Sequence, residues 1–197
     1  MKKTLFSLLV LCTIFACNQT TTTSKNESKK DERSESQLKF IKLLGNIYDN
    51  CLEQKNEIAL KEAADTGKVK VTTFITDTLK GEFKNWKGRV YDIAVDELDG
   101  AAVVTLMISK FDTFNEENPE FDAILFRQRI FDDRTKDKVK VLTKGDDVSF
   151  SAAFDLSNKD ENGNIEISTL NDTFKEGDVF DEAMFDIVLH EINKSKK

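Results

Sequence analysis

Apolar residues recur at Phe40, Leu44, Ile47 and Cys51, at intervals of four, three and four, with Ile41, Tyr48 and Leu52 beside them. That spacing keeps one face of a 3.6-residue helix apolar and predicts helix between Gln37 and Ala64. Ser34 and Gln37 have the spacing of a capping box at its start, and Gly67 is the candidate left-handed residue at its end. Gly45 and the polar run Glu53 to Glu57 interrupt the pattern, so two shorter helices are the alternative. Residues 68–80 fit both periods: Val69 and Val71 alternate as in a strand, whereas Val71, Ile75 and Leu79 share a helical face.

From residue 83 the period changes to two. Trp86, Gly88 and Val90 alternate with Lys87, Arg89 and Tyr91, a turn follows at Asp96 to Gly100, and AAVVTLMIS gives a second strand. AILFRQRIF, 123–131, reads as a third strand, and the stretch to Gly145 carries helix or turn signals. Val148, Phe150, Ala152 and Phe154 then share one face, a hairpin through Asn162-Gly163 leads to IEIST, and 184–192 closes with Phe185, Ile187 and Leu189 alternating. Three strands, a short helix and further strands is the order of the OB-fold, a five-stranded Greek-key barrel. The expected fold is mainly β, with a helical segment over 38–82, an OB-fold-like barrel over 83–192 and a short tail over 193–197. A Trp86 on the inward side fills one end of the barrel, and Gly88 permits the close approach that closure needs.

Three stretches carry a resemblance. Phe83-x-Asn85-Trp86-x-Gly88-x-Val90-x-Asp92-Ile93, Leu142-x-Lys144-Gly145-Asp146-x-Val148-x-Phe150-Ser151 and the segment from Gly177 to Ile192 resemble a group of uncharacterised bacterial proteins. These look like OB-fold domains of the tRNA-anticodon-binding-like type, preceded by helix. The similarity covers residues 56–192. Ala152 stands where a Gly is expected, implying a looser bend of the fourth strand, and Ala183 stands where a Pro is expected, at the start of the last strand. The group has no established reaction, so the resemblance implies a barrel and transfers no catalytic residue.

The N-terminus changes the setting. MKKTLFSLLVLCTIFAC places Lys2 and Lys3 before an apolar run from Leu5 to Ala16. The run falls short of the about 20 apolar residues that span a bilayer, and its flanks are those of a secretory signal. Ile14-Phe15-Ala16-Cys17 resembles the lipobox of bacterial lipoproteins. The resemblance implies cleavage of residues 1–16, lipidation of Cys17 and attachment to a membrane of the cell envelope; an ordinary cleaved signal is the alternative. Several acyl chains hold far more firmly than one. Asn18 in place of Asp after the lipidated Cys implies the outer membrane, by the rule of enteric bacteria. Residues 18–37 contain no apolar side chain, so 17–37 reads as a lipidated tether without fixed structure.

Composition narrows the chemistry. Residues 38–197 carry 23 Lys and Arg against 32 Asp and Glu, a net charge of -9, which repels phosphate backbones and argues against a nucleic-acid partner. After loss of Cys12 and lipidation of Cys17 only Cys51 remains, so no internal disulfide forms. One His, His190, and eight scattered Gly supply neither a His cluster for zinc nor a phosphate-cradling loop. Asn158-x-Asp160-x-Asn162-Gly163 begins like a calcium loop, but Thr169 stands where the bidentate Glu is required. No metal, cofactor or catalytic set is expected.

The same alternation that turns Trp86 and Val90 inward turns Lys87, Arg89 and Tyr91 outward, and Arg127 and Arg129 face out from the third strand. Arg grips carboxylates or phosphates bidentately, and Tyr stacks on flat rings. These five residues are the candidate ligand face; cross-strand pairing with the abundant acids is the alternative. The expected function is a membrane-anchored, non-enzymatic binding module with a protein, peptide or glycan partner. A hydrolase using loop carboxylates and an accessory subunit docking through helix 38–64 are the other readings.

Overall fold

The computed structural model describes residues 31–109, 123–157 and 183–195, all within the unit Asp31–Lys197. Helices α1 (Glu35–Leu52) and α2 (Glu57–Thr73) are followed by a π-helical turn, Phe74–Thr78. Then come β1 (Glu82–Val95), β2 (Ala102–Ser109), β3 (Ala123–Ile130), α3 (Asp133–Val139), β4 (Asp147–Phe154) and β5 (Ala183–Lys194). The hairpin around Asn162-Gly163, the IEIST strand and the calcium-like spacing lie outside the described residues.

The strands close into a barrel in the order β1-β2-β3-β5-β4. Among the described strands, only the β3–β5 pair is parallel. This is the expected OB-fold-like Greek-key barrel, with α3 between its third and fourth strands. β1 serves two neighbours, β4 with its first half and β2 with its second, and bulges let it turn between them. The register shifts between Phe83 and Trp86, where Asn85 has φ 55°, and again between Val90 and Asp92. A third shift, opposite Ser151 and Ala152, places the extra residue His190 on β5. The bend for which Ala152 lacked a Gly is thus made by the partner strand, and β5 begins at Ala183 without a Pro.

The helical segment differs from expectation in three places. The pattern divides into two helices, with Asn56 capping α2 by accepting from Ala59 N at 3.0 Å. Gly67 lies buried inside α2, and the left-handed residues that release the chain into β1 are Lys80 and Gly81. Helix continues that far because Val71 and Ile75, one turn apart, are both needed in the core. The tether expected over 17–37 also ends sooner: Ser34 caps α1, accepting from Gln37 N at 3.2 Å, and Gln37 is buried.

Gln37 does not turn back to complete a capping box. Its Nε2 donates to Lys87 O at 2.6 Å and its Oε1 accepts from Lys87 N at 2.9 Å, so one amide satisfies both backbone groups beside the first bulge. Next to it, Trp86 Nε1 donates to Ser36 Oγ at 3.0 Å. Gln37→Ala would leave two part-buried backbone groups without this partner, at up to about 1–3 kcal/mol each. A fall of several degrees in Tm by circular dichroism is expected; an unchanged Tm would mean that water replaces the amide.

The interior is aromatic. Phe83 stacks on Trp86 at 4.0 Å, and Phe126 on Phe185 at 5.7 Å. Phe40 of α1 meets Phe74, Trp86, Phe126, Phe154 and Phe185 at centroid distances of 5.3 to 6.4 Å. The stripe Phe40, Leu44, Ile47 and Cys51 is therefore spent inside the fold. On α1 and α2, Leu38, Leu52 and Ile58 stay exposed. Val139 and Leu142 join the same core from α3 and the loop after it.

Candidate interaction surface on the outer barrel face

Strand alternation puts Arg89, Arg127 and Arg129 on the outside of the barrel, where each meets an acid. Arg89 stands opposite Asp147 on β4, with Nε 2.8 Å from Oδ1. Arg127 stands opposite Asp186 on β5, with Nε–Oδ1 at 2.9 Å and Nη2–Oδ2 at 3.3 Å. Arg129 reaches the β1–β2 turn and holds Asp96 and Asp99, each at 2.6 Å. The backbone of Lys87 is taken by Gln37, while its side chain is half-buried. Tyr91 is the extra residue of the second bulge, so Asp92 follows it onto the outer side. The Lys144 ammonium lies 5.2 Å from the Tyr91 ring centroid.

Local electrostatics follow from these contacts. The Asp99 carboxyl is held below its ordinary range, first by the backbone N–H of Ala101 and further by Arg129. The Arg129 guanidinium is raised in turn, by its bonds to Asp99 and then Asp96. Asp146, at the β4 entry, is lowered by Lys194 and by the N–H of Thr143. Exposed ion pairs are worth about 0–1 kcal/mol. A bidentate carboxylate or phosphate ligand can therefore take over a guanidinium at small cost, while the displaced Asp returns to water.

Between Arg89 and Arg127 the outer face is apolar. Met107 of β2 and Ala123 and Leu125 of β3 form a small buried cluster, with Tyr91 and Met184 packed against it. Cross-strand pairs align Arg89, Met107, Leu125 and Met184 in one row and place Arg127 beside Thr105 in the next. Alternation alone missed these apolar members. Their signal was the unbroken runs Leu106-Met107-Ile108 and Ala123-Ile124-Leu125-Phe126, which mark strands covered on both faces. The acids Asp147 and Asp186 were missed because they belong to strands distant in sequence.

The remaining reactive groups stand apart from this face. His190 is exposed at the β5 bulge, and burial pushes the Cys51 thiol up. Among the described residues, no group of three or more His, Cys, Asp or Glu is placed to hold a metal ion. Cys17 lies outside the described residues. Comparison with family models, with curated proteins and with solved structures gave no match.

Proposed function

We propose that the chain is a lipid-anchored, non-enzymatic interaction module of the bacterial cell envelope, held by Cys17 to the outer membrane. Its OB-fold-like barrel would belong to the tRNA-anticodon-binding-like group that its motifs resemble. The observation that carries the reading is the filled interior. Phe40, Phe83, Trp86, Phe126, Phe150, Phe154 and Phe185 occupy the barrel, which leaves recognition to the outer surface. There Arg89, Arg127 and Arg129 offer exchangeable ion pairs, a setting that suits a protein, peptide or glycan partner bearing carboxylate or phosphate groups. The net negative charge disfavours nucleic acid.

The test uses crosslinking in the native envelope. Cys17→Ser is expected to move the chain from the membrane to the soluble fraction and to abolish incorporation of a labelled fatty acid. In the anchored chain, joint replacement of Arg89, Arg127 and Arg129 by Gln is expected to lose the anionic partner. Continued membrane attachment of Cys17→Ser removes the anchor from the reading, and unchanged partner recovery removes the Arg face.

A further inference from the structure

The β1–β2 turn holds an apolar side chain out in solvent by a rigid frame. Asp96 Oδ1 accepts from Leu98 N, and Asp99 Oδ1 from Ala101 N, each at 2.9 Å. Backbone bonds from Asp96 N to Ala101 O and from Gly100 N to Asp96 O, both 2.8 Å, close the turn. Arg129 ties both carboxylates to β3, and its guanidinium carbon lies 6.0 Å from the centroid of the Phe131 ring. Turn, guanidinium and ring form one unit, from which Leu98 projects 96% exposed and Phe131 77% exposed. An exposed Leu on a loose loop is ordinary. Here backbone and carboxylate hydrogen bonds hold the turn beneath it, so a contact made through Leu98 has little ordering entropy left to lose.

Two observations choose the occupant. Asp96, Glu97, Asp99, Asp132 and Asp133 adjoin Leu98 and Phe131 in sequence against Arg129 and Arg134, so the tip is acidic overall. It repels anionic lipid and attracts a cationic surface. The tip also lies away from the point where the described chain begins. Arg33 Nη1 donates to Ser109 O at 3.3 Å, and Ser109 ends β2 roughly 25 Å of strand from the turn. The described chain therefore begins near the other end of the barrel.

We infer that the β1–β2 turn, with Phe131, is a docking tip for a basic amphipathic segment of a partner protein. The inference rests on the interaction-module reading and adds to it a second contact, acidic and apolar, which shares Arg129 with the Arg face. Lipid is the competing occupant.

The test uses the full chain with three probes: a labelled amphipathic Lys/Leu peptide, its Glu/Leu twin, and vesicles of phosphatidylcholine and phosphatidylglycerol. Fluorescence anisotropy is expected to show binding of the Lys/Leu peptide and not of its twin. Joint replacement Leu98→Ser and Phe131→Ser, which keeps every charge, is expected to weaken that binding at least about tenfold with the circular dichroism spectrum unchanged. Equal binding by the double variant would reduce the tip to a non-specific acidic surface and overturn the inference. Vesicle binding that falls with the same two substitutions would overturn it in favour of lipid. If the double variant binds the peptide unchanged and still recovers the partner that depends on the Arg face, the tip assignment fails while the module reading stands.

Discussion

Phe40→Ala is expected to leave the barrel barely stable or unfolded at 25 °C, although Phe40 belongs to a helix and not to the barrel. The ring is fully buried and meets five other aromatic residues, so its removal opens a cavity where helix and strands converge. Such truncations cost about 3–5 kcal/mol. A domain has only about 5–15 kcal/mol to lose. The damage also spreads: most helical stability in a protein comes from packing of the apolar face, so α1 depends on this contact for its own order. If α1 detaches, the Lys87 backbone loses Gln37 as well. Urea unfolding followed by fluorescence of the one Trp, Trp86, reports the loss at its source. The midpoint should fall far below that of the wild type, with Lys39→Ala, on the exposed side of α1, as the neutral control. A Phe40→Ala midpoint equal to that of the control would show α1 to be an accessory layer.

This dependence ties the fold to the proposed function. Because α1 is a plug and not a free arm, a pull on the chain upstream of residue 31 is met first by Ser34, Ser36 and Gln37, which are bonded within the helix cap and to β1. An anchored module needs such a joint, since a helix that peeled away would open the barrel.

How far the residues announced this arrangement varies with the range of the interactions involved. Period-two patterning located all five described strands and turned Trp86, Val90, Phe150 and Phe185 inward, because alternation is a local property. Residues 68–80 were not legible, since Val69 and Val71 alternate as in a strand while Val71, Ile75 and Leu79 share a helical face, and only the core's need for Val71 and Ile75 decides. Gln37 was legible as a cap and not as a clamp: both roles use the same amide. The second role appears only when the fold brings Gln37 beside the Lys87 backbone. The outward Arg residues were likewise placed by alternation. Their acidic partners follow from the β1–β4, β3–β5 and hairpin contacts, two of which join strands more than fifty residues apart. The apolar strip around Leu125 had a local signal in its unbroken apolar run, which the expectation of strict alternation passed over.

Gly88→Ala carries the second large expected effect, and it comes from space alone, since Gly88 is not among the residues with positive φ. A Cβ at Gly88 would lie 2.6 Å from the backbone carbonyl oxygen of Met107 and 3.0 Å from Cε1 of Phe150. The first neighbour is main chain in the β1–β2 ladder, next to the pair Arg89–Met107, so it cannot swing aside as a side chain would. The second is a ring wedged among Phe83 and Phe126. To admit one methyl group, β1 and β2 must separate where β1 passes from β4 to β2, which is the seam that closes the barrel. Overpacking costs about 1–3 kcal/mol where side chains give way, and more where backbone must move. Gly88→Ala should therefore lower the urea midpoint by at least as much as a buried Ile→Val change in the same core. Hydrogen exchange should rise first at Lys87 to Val90 and at Leu106 to Ile108. Wild-type stability and exchange in Gly88→Ala would show that the strands can part at this seam without loss, and that Gly88 is not what lets the barrel close.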